Sequence, residues 1–475
     1  MSLIKKIAWN NLLVLSERLF TAFLGFLISI WLIRYLGPER YGIYSLVFAW
    51  FTFLNVFTPF AIEQVVARES VRHPEQMRKY LGAGVSIKIL LAILGWICGI
   101  LITWLLDYPR TVIFYLAIVL FGLVGNASYV LQVPHQIELK LLYPALAEGG
   151  SNFLYQIARG ILILLECGLY PFFLAHLVWR IFQLGLFFLL GIEKSSYRPS
   201  FKFGLQEVRH IFYASWVLLV NNIFVMLISK IDQLMLYPSW GEKYLGWYGS
   251  CARLIDYLVI IASVWYITAF PLLSRYLGES RSAYEKASFY SFKYLSLASC
   301  FIWLIFAGFS KDVLQLLFGS EYLPAQSALF WLSTALVFIF LQVSFFNLAL
   351  SQNLEKKWLL INGTGALANI SLNLLLIPDY GITGAGIATF GAFFVQIILC
   401  GLLREFRPGF LIMLKAGTVP IILSLFLILA VNYFQLSLFP WGVIITGLFL
   451  LLLVIFKTLN KNDLIFIKKA FLPEK

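Results

Sequence analysis

The chain has 475 residues, of which 61% are hydrophobic and only 12% charged. Its mean hydropathy of +0.86 excludes a water-soluble domain and indicates a protein that lives in a membrane. The net charge of +13 attracts anionic lipid at a membrane surface and does not by itself point to nucleic acid, so no nucleic-acid partner is expected.

Apolar runs of about 20 residues, enough to cross roughly 30 Å of hydrocarbon, recur from one end of the chain to the other. Fourteen spans are predicted, at 11–34, 42–66, 81–105, 111–133, 143–165, 169–191, 211–236, 247–271, 288–309, 326–350, 358–377, 384–403, 411–433 and 437–456. The first follows Lys5 and Lys6 as a signal peptide would. It contains Glu17 and Arg18, however, and lacks a small-residue cleavage site, so it is expected to be retained. The longest polar connection, 192–210, leaves no room for a soluble catalytic domain.

Charge orients the spans, because cytoplasmic loops collect Lys and Arg. With the N-terminus cytoplasmic, 23 of the 36 Lys and Arg fall on that side, ending with Lys457, Lys461, Lys468, Lys469 and Lys475. Arg34, Arg40, Arg110, Lys243 and Lys311 fall on the other. Both termini are therefore expected in the cytoplasm. The cysteines Cys98, Cys167, Cys251, Cys300 and Cys400 and the four histidines are scattered, with no spacing suited to a metal. No metal site or cofactor is expected.

One turn occurs twice: RYLGPERYGIYSL at 34–46 and EKYLGWYGS at 242–250. Both join an outward-running span to an inward-running one, and Gly42 and Gly246 stand 204 positions apart. Six spans with their loops occupy that length, which predicts a parallel repeat. Each Gly permits a tight exit from the turn, and Tyr44 and Tyr248 are expected in the interfacial aromatic belt. The predicted fold is an all-α polytopic membrane protein with about 14 transmembrane helices: two pseudo-symmetric six-helix lobes plus two C-terminal helices. The lobes are 1–191 and 211–403, joined by a cytoplasmic linker at 192–210, with 404–475 holding the last two helices and a basic tail.

Charges inside spans are costly, so they face the bundle interior, a partner or water. Arg18, Lys88, Arg159, Arg180, Lys230 and Arg253 oppose Glu17, Glu63, Glu148, Asp232 and Asp256, all placed in the first eight spans. Arg18, Ala22, Gly25 and Ser29 share one helical face, and Glu148, Asn152, Tyr155 with Gln156, and Arg159 share another. Arg253 and Asp256 are three apart and can meet. Asn222, Ser229 and Gln233 line one face, flanked by Lys230 and Asp232. The pattern has two readings, a polar cavity or internal ion pairing, with Lys88 and Lys230 near enough to span ends to snorkel. Asn362, Asn369 and Asn373, and the small residues Gly384, Ala388 and Ala392, look like helix-packing faces.

Four segments together resemble one family. YLGPERYGIYSL resembles the first outer turn of the Wzx-type flippases of lipid-linked oligosaccharides, the polysaccharide-transport branch of the MOP exporter superfamily, to which the MATE transporters also belong. KIDQLMLYPSWGEKYLGWYGSCARLIDYL resembles their seventh and eighth helices, LFGSEYLPAQSAL the turn before the tenth, and LLLIPDYGITGAGIATF the junction of the eleventh and twelfth. The resemblance implies two lobes around a cavity that opens alternately to the two sides of a bacterial cytoplasmic membrane. It also implies a transporter, not an enzyme, that flips a polyprenyl-pyrophosphate-linked oligosaccharide for surface polysaccharide biosynthesis. Its expected partners are that lipid-linked oligosaccharide, membrane lipids, and the polymerase and glycosyltransferases of the same pathway.

Guanidinium groups bind phosphate bidentately, which makes Arg18, Arg159, Arg180, Arg253 and Lys230 candidates for the pyrophosphate, with Asn152 and Asn222 for the sugars. Glu17, Asp232 and Asp256 are candidates for coupling to H⁺ or Na⁺. Two alternatives stay open: a MATE-type cation or drug antiporter, which needs carboxylates prevailing in the cavity, and a membrane glycosyltransferase or polymerase, which needs a large outer loop.

Overall fold

A computed structural model describes residues 3–56, 62–190, 198–459 and 463, without the side chains of 3–15 and 214–219. The side chains of Lys5, Lys6, Lys194, Lys461, Lys468, Lys469 and Lys475, counted above as cytoplasmic, lie outside the described residues. Among the described residues every regular element is helical. In chain order these are α1 Leu3–Asn55, α2 Ile62–Arg72, α3 Met77–Leu105, α4 Arg110–Phe121, the short α5 Ser128–Leu131 and α6 Val133–Ile137, α7 Leu142–Leu164 and α8 Leu169–Leu190. There follow α9 Leu205–Glu279, α10 Arg281–Gly308, α11 Ser310–Leu317, α12 Gln326–Ser351, α13 Glu355–Leu402, α14 Arg407–Tyr433 and α15 Leu438–Ile455.

Ten helices among the described residues are long and apolar enough to cross a membrane. Three of them, α1, α9 and α13, are each two rods joined at one non-helical glycine, Gly37, Gly241 or Gly381. These joints recover the boundaries between spans 1 and 2, 7 and 8, and 11 and 12. The 23-residue α7 is long enough but, with Glu148, Asn152, Gln156 and Arg159 along it, falls outside the ten. It completes the fourteen expected spans.

The two repeated turns share one backbone solution. Gly37 has φ 67°, ψ 173° and Gly241 has φ 75°, ψ −170°, a region that only glycine enters without strain. The next residue starts the following rod. Pro38 suits a first helical position because its φ is preset and its missing N–H has no intrahelical partner there. Glu242 places a negative charge at the same position against the helix dipole, and accepts a hydrogen bond from Tyr237 at 3.2 Å.

The chain forms two compact units, residues 1–250 and 251–475. In the first, α1 packs on α4 and α7, α7 on α8, and α8 on a 3₁₀ stretch at Gly122–Ala127. Its core includes Val66, Leu81, Val130, Phe187 and Ile211. The division by packing falls inside α9, whereas the repeat leads one to expect a lobe boundary at 192–210. The reason is visible at the turns: Gly42 lies against the backbone carbonyl of Glu242, and Gly246 against that of Pro38. Ser45 donates to Gln233 at 3.3 Å, and Tyr108 stacks on Tyr237 at 5.2 Å. These contacts tie the first part of α9 to α1. The end of the linker is strapped down as well, since Ser200 N–H donates to Arg78 O at 2.8 Å.

The tyrosines of the two turns depart from expectation. Both Tyr44 and Tyr248 are buried rather than interfacial. Tyr44 stacks in a cluster with Tyr41, Phe48 and Phe173, and Tyr248 turns its hydroxyl to the buried carboxylate of Asp232. A phenol whose O–H finds an internal acceptor loses its reason to sit at the headgroups.

In the second unit α10 packs on α12 and α14, and α12 on α13. Gly384, Ala388 and Ala392 are buried, as their small-residue spacing suggests. Gln396 donates to Asn362 at 3.2 Å and occupies the space left by Gly365, while Asn373 donates to Asn369 at 3.0 Å.

Candidate functional site

α7 and α8 carry the most strongly buried arginines of the first unit. Arg159 is 3% exposed although it lies within a span. Along its helical face Gln156 donates to Asn152 at 3.2 Å, and Arg159 Nη1 donates to Gln156 Oε1 at 2.8 Å. The i, i+3 and i, i+4 spacing of this stripe produces that relay, so this part of the site was legible in the sequence.

Arg180, 5% exposed, comes from α8. Its Nη1 donates to Gln183 at 2.8 Å, its Nη2 to Asn126 Oδ1, and its Nε to the carbonyl of Gly122 at 3.4 Å. Glycines make the room: a Cβ at Gly125 would stand 2.8 Å from the Arg180 carbonyl and 3.1 Å from its Nε. Asn126 is anchored in turn by donating to Asn55 at 2.6 Å. Asn55, Asn126 and Gln183 lie at this centre and were not singled out in the sequence: the partners of Asn55 and Asn126 lie on other elements, whereas Gln183 meets Arg180 at i, i+3 on α8, a spacing that could have found it.

Aromatic rings join the two arginines. Tyr155 and Trp179 stack at 4.7 Å with planes 10° apart. Arg159 lies over Tyr155 at 5.6 Å and Arg180 over Trp179 at 5.4 Å. Buried His176 packs edge-on to Phe48, Phe51, Tyr155 and Trp179. Glu148 is within electrostatic range of Arg18 and Arg180. The centre thus combines two guanidiniums with amide and aromatic side chains, a set suited to an anion with polar substituents.

The remaining candidates are placed differently. Arg18 is exposed; on its face burial begins at Gly25 and continues at Ser29. Neighbouring Glu17 accepts from Thr21 at 3.0 Å and packs over Gly149 of α7. Lys88 does not snorkel: it is fully buried, with Nζ 2.7 Å from Glu63 Oε2 and 5.2 Å from the Tyr129 ring centre. A partner on α2 removes the need to reach the headgroups. Lys230 and Asn222 are half-buried on α9. Asp232 is buried, accepting from Tyr248 and from the Gln233 N–H at 2.7 Å.

Arg253 and Asp256 belong to the second unit. Arg253 is exposed and donates to Tyr257 at 3.0 Å, with its guanidinium 4.8 Å from that ring centre; Asp256 is half-buried. The intramembrane charges are also not confined to the first eight spans. Lys293 of α10 is buried and pairs with buried Asp463 at 2.5 Å, and Tyr294 donates to the same carboxylate at 3.1 Å. Exposed Lys415 lies in α14. Local periodicity carries no sign of a partner 170 positions away.

The profile of a family described as polysaccharide biosynthesis protein matches residues 31–327. An uncharacterised membrane protein of Methanocaldococcus jannaschii is 26% identical over 273 residues; the match covers 54% of this chain and about half, 53%, of that protein. Among solved structures, the lipid II flippase MurJ in an inward closed conformation superposes with a TM-score of 0.70 at 15% identity, over 96% of this chain and all of that one. An inward-facing multidrug resistance transporter of the MATE family, in the MOP superfamily, gives 0.65 at 14% identity, over 89% and 99% of the two chains. At such identities the likeness shows the fold, that of the MOP transporters. With its profile matched over more than half of its length, this multi-pass membrane protein belongs to the polysaccharide biosynthesis protein family.

Proposed function

We propose that the protein is a flippase that moves a polyprenyl-pyrophosphate-linked oligosaccharide across the cytoplasmic membrane by alternating access, without making or breaking a covalent bond. The observation that carries this reading is the buried centre of Arg159 and Arg180 on adjacent helices, held by the amide oxygens of Gln156, Gln183 and Asn126. Moving a pyrophosphate through hydrocarbon strips hydration from its charges, and buried guanidinium forks replace that hydration with charge-assisted bonds. Amide-held arginines exchange a neutral oxygen for a phosphate oxygen. The family membership and the MOP fold support the same reading.

In this scheme two six-helix lobes, 1–191 and 211–403, alternate between inward and outward openings. Asn152, Asn222 and the aromatic rings serve the glycan, and Lys230, Arg253 and Arg18 are further cations along its route. Coupling to H⁺ or Na⁺ is assigned to Glu17, Asp232 or Asp256, with Asp232 the most enclosed. Both termini lie in the cytoplasm.

The test is leaflet-resolved labelling of the lipid-linked intermediate in cells carrying Arg159→Gln or Arg180→Gln at matched protein level. Inner-leaflet accumulation is the expected result. Normal surface glycan in both variants sinks the reading.

A further inference from the structure

α7 and α8 leave a cavity of about 500 Å³ between them where small residues, Ala158, Ala175 and Ser151, face the helix–helix seam. Its walls are almost entirely carbon, including Leu162 and Pro171. Leu154, Leu174, Val178 and Phe182 are exposed along it, so the cavity is a groove that opens away from the buried interior. A slot of this chemistry and size holds hydrocarbon in preference to water.

The groove is continuous with the cationic centre. Tyr155 and Trp179 line it, and these are the two stacked rings whose other neighbours are Arg159 and Arg180. One layer of aromatic carbon therefore separates a hydrocarbon slot from two buried guanidiniums. Beside that layer, Trp179 Nε1 and His176 Nε2 are buried without a hydrogen-bond partner. Buried polar atoms in native proteins are nearly always satisfied, so two such atoms at one place call for a polar ligand.

We propose that the α7–α8 groove holds the polyprenyl chain of the lipid carrier, with the carrier's phosphates reaching Arg159, Arg180, Trp179 and His176 past the ring pair. The inference rests on the flippase reading and adds where the chain sits. Charge complementarity selects the occupant: a long hydrocarbon chain ending in a dense anion matches an apolar slot that ends at two cations. A phospholipid acyl chain would fill the carbon walls, but its single phosphate diester carries half the charge or less of a pyrophosphate.

The experiment uses the full-length protein in vesicles of phosphatidylglycerol and phosphatidylethanolamine, with a photoreactive phenylalanine analogue replacing Phe182, which lines the groove and is already aromatic, and radiolabelled polyprenyl pyrophosphate as the probe. Labelling that unlabelled polyprenyl phosphate competes away, and added phosphatidylglycerol does not, is the expected result. Absent labelling, or equal competition by phosphatidylglycerol, overturns the proposal. In cells, Ala158→Trp and Ala175→Trp fill the groove and should lower export about tenfold or more, whereas Leu146→Trp, exposed and outside the groove, leaves it unchanged. Wild-type export by the filled variants also overturns it. Should Arg159→Gln and Arg180→Gln export normally while position 182 still labels, the phosphate site fails and the chain site stands. Inactive arginine variants, with no labelling at 182 in the protein that keeps both arginines, mean the opposite: the phosphate site stands and the chain site fails.

Discussion

Gly42 and Gly246 occupy equivalent places on opposite sides of one contact. Gly42 meets the carbonyl of Glu242, Gly246 meets the carbonyl of Pro38, and each member of one turn stands 204 positions from its counterpart in the other. Such reciprocity is what a two-fold relation between two repeated turns produces. Neither position has room for a Cβ. Gly42→Ala and Gly246→Ala are each expected to cost about 1–3 kcal/mol by overpacking, read as a fall in the thermal unfolding midpoint in detergent. Gly241→Ala has open space but a positive φ, so its cost, about 1–2 kcal/mol, is backbone strain alone. Wild-type melting of the first two would mean that the turns do not pack this closely.

Arg180 makes its hydrogen bonds through all three guanidinium nitrogens, so charge alone does not replace it. Arg180→Lys should retain part of export and Arg180→Gln very little. Each charge-assisted bond to phosphate is worth roughly 1.5–3 kcal/mol, or about 10- to 150-fold in affinity. Exposed Arg18 should matter less, with Arg18→Ala reducing export only severalfold. A larger defect from Arg18→Ala than from Arg180→Gln would move the phosphate site to the start of α1.

Lys293 and Asp463 form a buried ion pair in the second unit. Lys293→Met should destabilise by about 3–5 kcal/mol, because it leaves a buried carboxylate unpaired, while Lys293→Met with Asp463→Leu should recover most of that loss. Thermal stability of the three proteins at one pH decides it. Equal melting of single and double variants would show that the pair is not closed.

Glu69, beyond the apolar run of its span, is drawn three ways. Burial acts to raise its carboxyl, but hydrogen bonds from Arg68 and His210, and their charges, hold it below the ordinary carboxylate range. A lowered folded value contributes stability that is present above the ordinary range and is lost as pH falls through the lowered one. The unfolding midpoint should therefore drop on acidification below the ordinary carboxylate range, and Glu69→Gln should flatten that part of the profile. An unchanged profile in Glu69→Gln counts against the clasp between α2 and α9.

Topology follows from the split of basic residues. Reporter fusions after residues 75, 200, 280 and 460 should report cytoplasm, and fusions near 108, 242 and 380 the outside. One inverted pair would break the fourteen-span order.

The membrane class, the spans, the repeated turn and the polar relay on α7 were all determined by the sequence alone. Each depends on composition or on helical spacing, and residues three or four apart must meet on a helix whatever else the chain does. The turn glycines themselves do not belong with these: Gly37 and Gly241 make the turns, whereas Gly42 and Gly246, expected there, lie within the helices that follow and serve close packing. Tertiary structure decided the rest. Tyr44 and Tyr248 went inside because Phe173 and Asp232 were there to receive them. Lys88 found Glu63, Arg180 found Asn126, and Lys293 found Asp463 across separations that no periodicity encodes. Arg18 shares a face with buried Gly25 and Ser29 yet stays exposed, because a stripe states which residues point together and not how far along it the neighbouring helices reach.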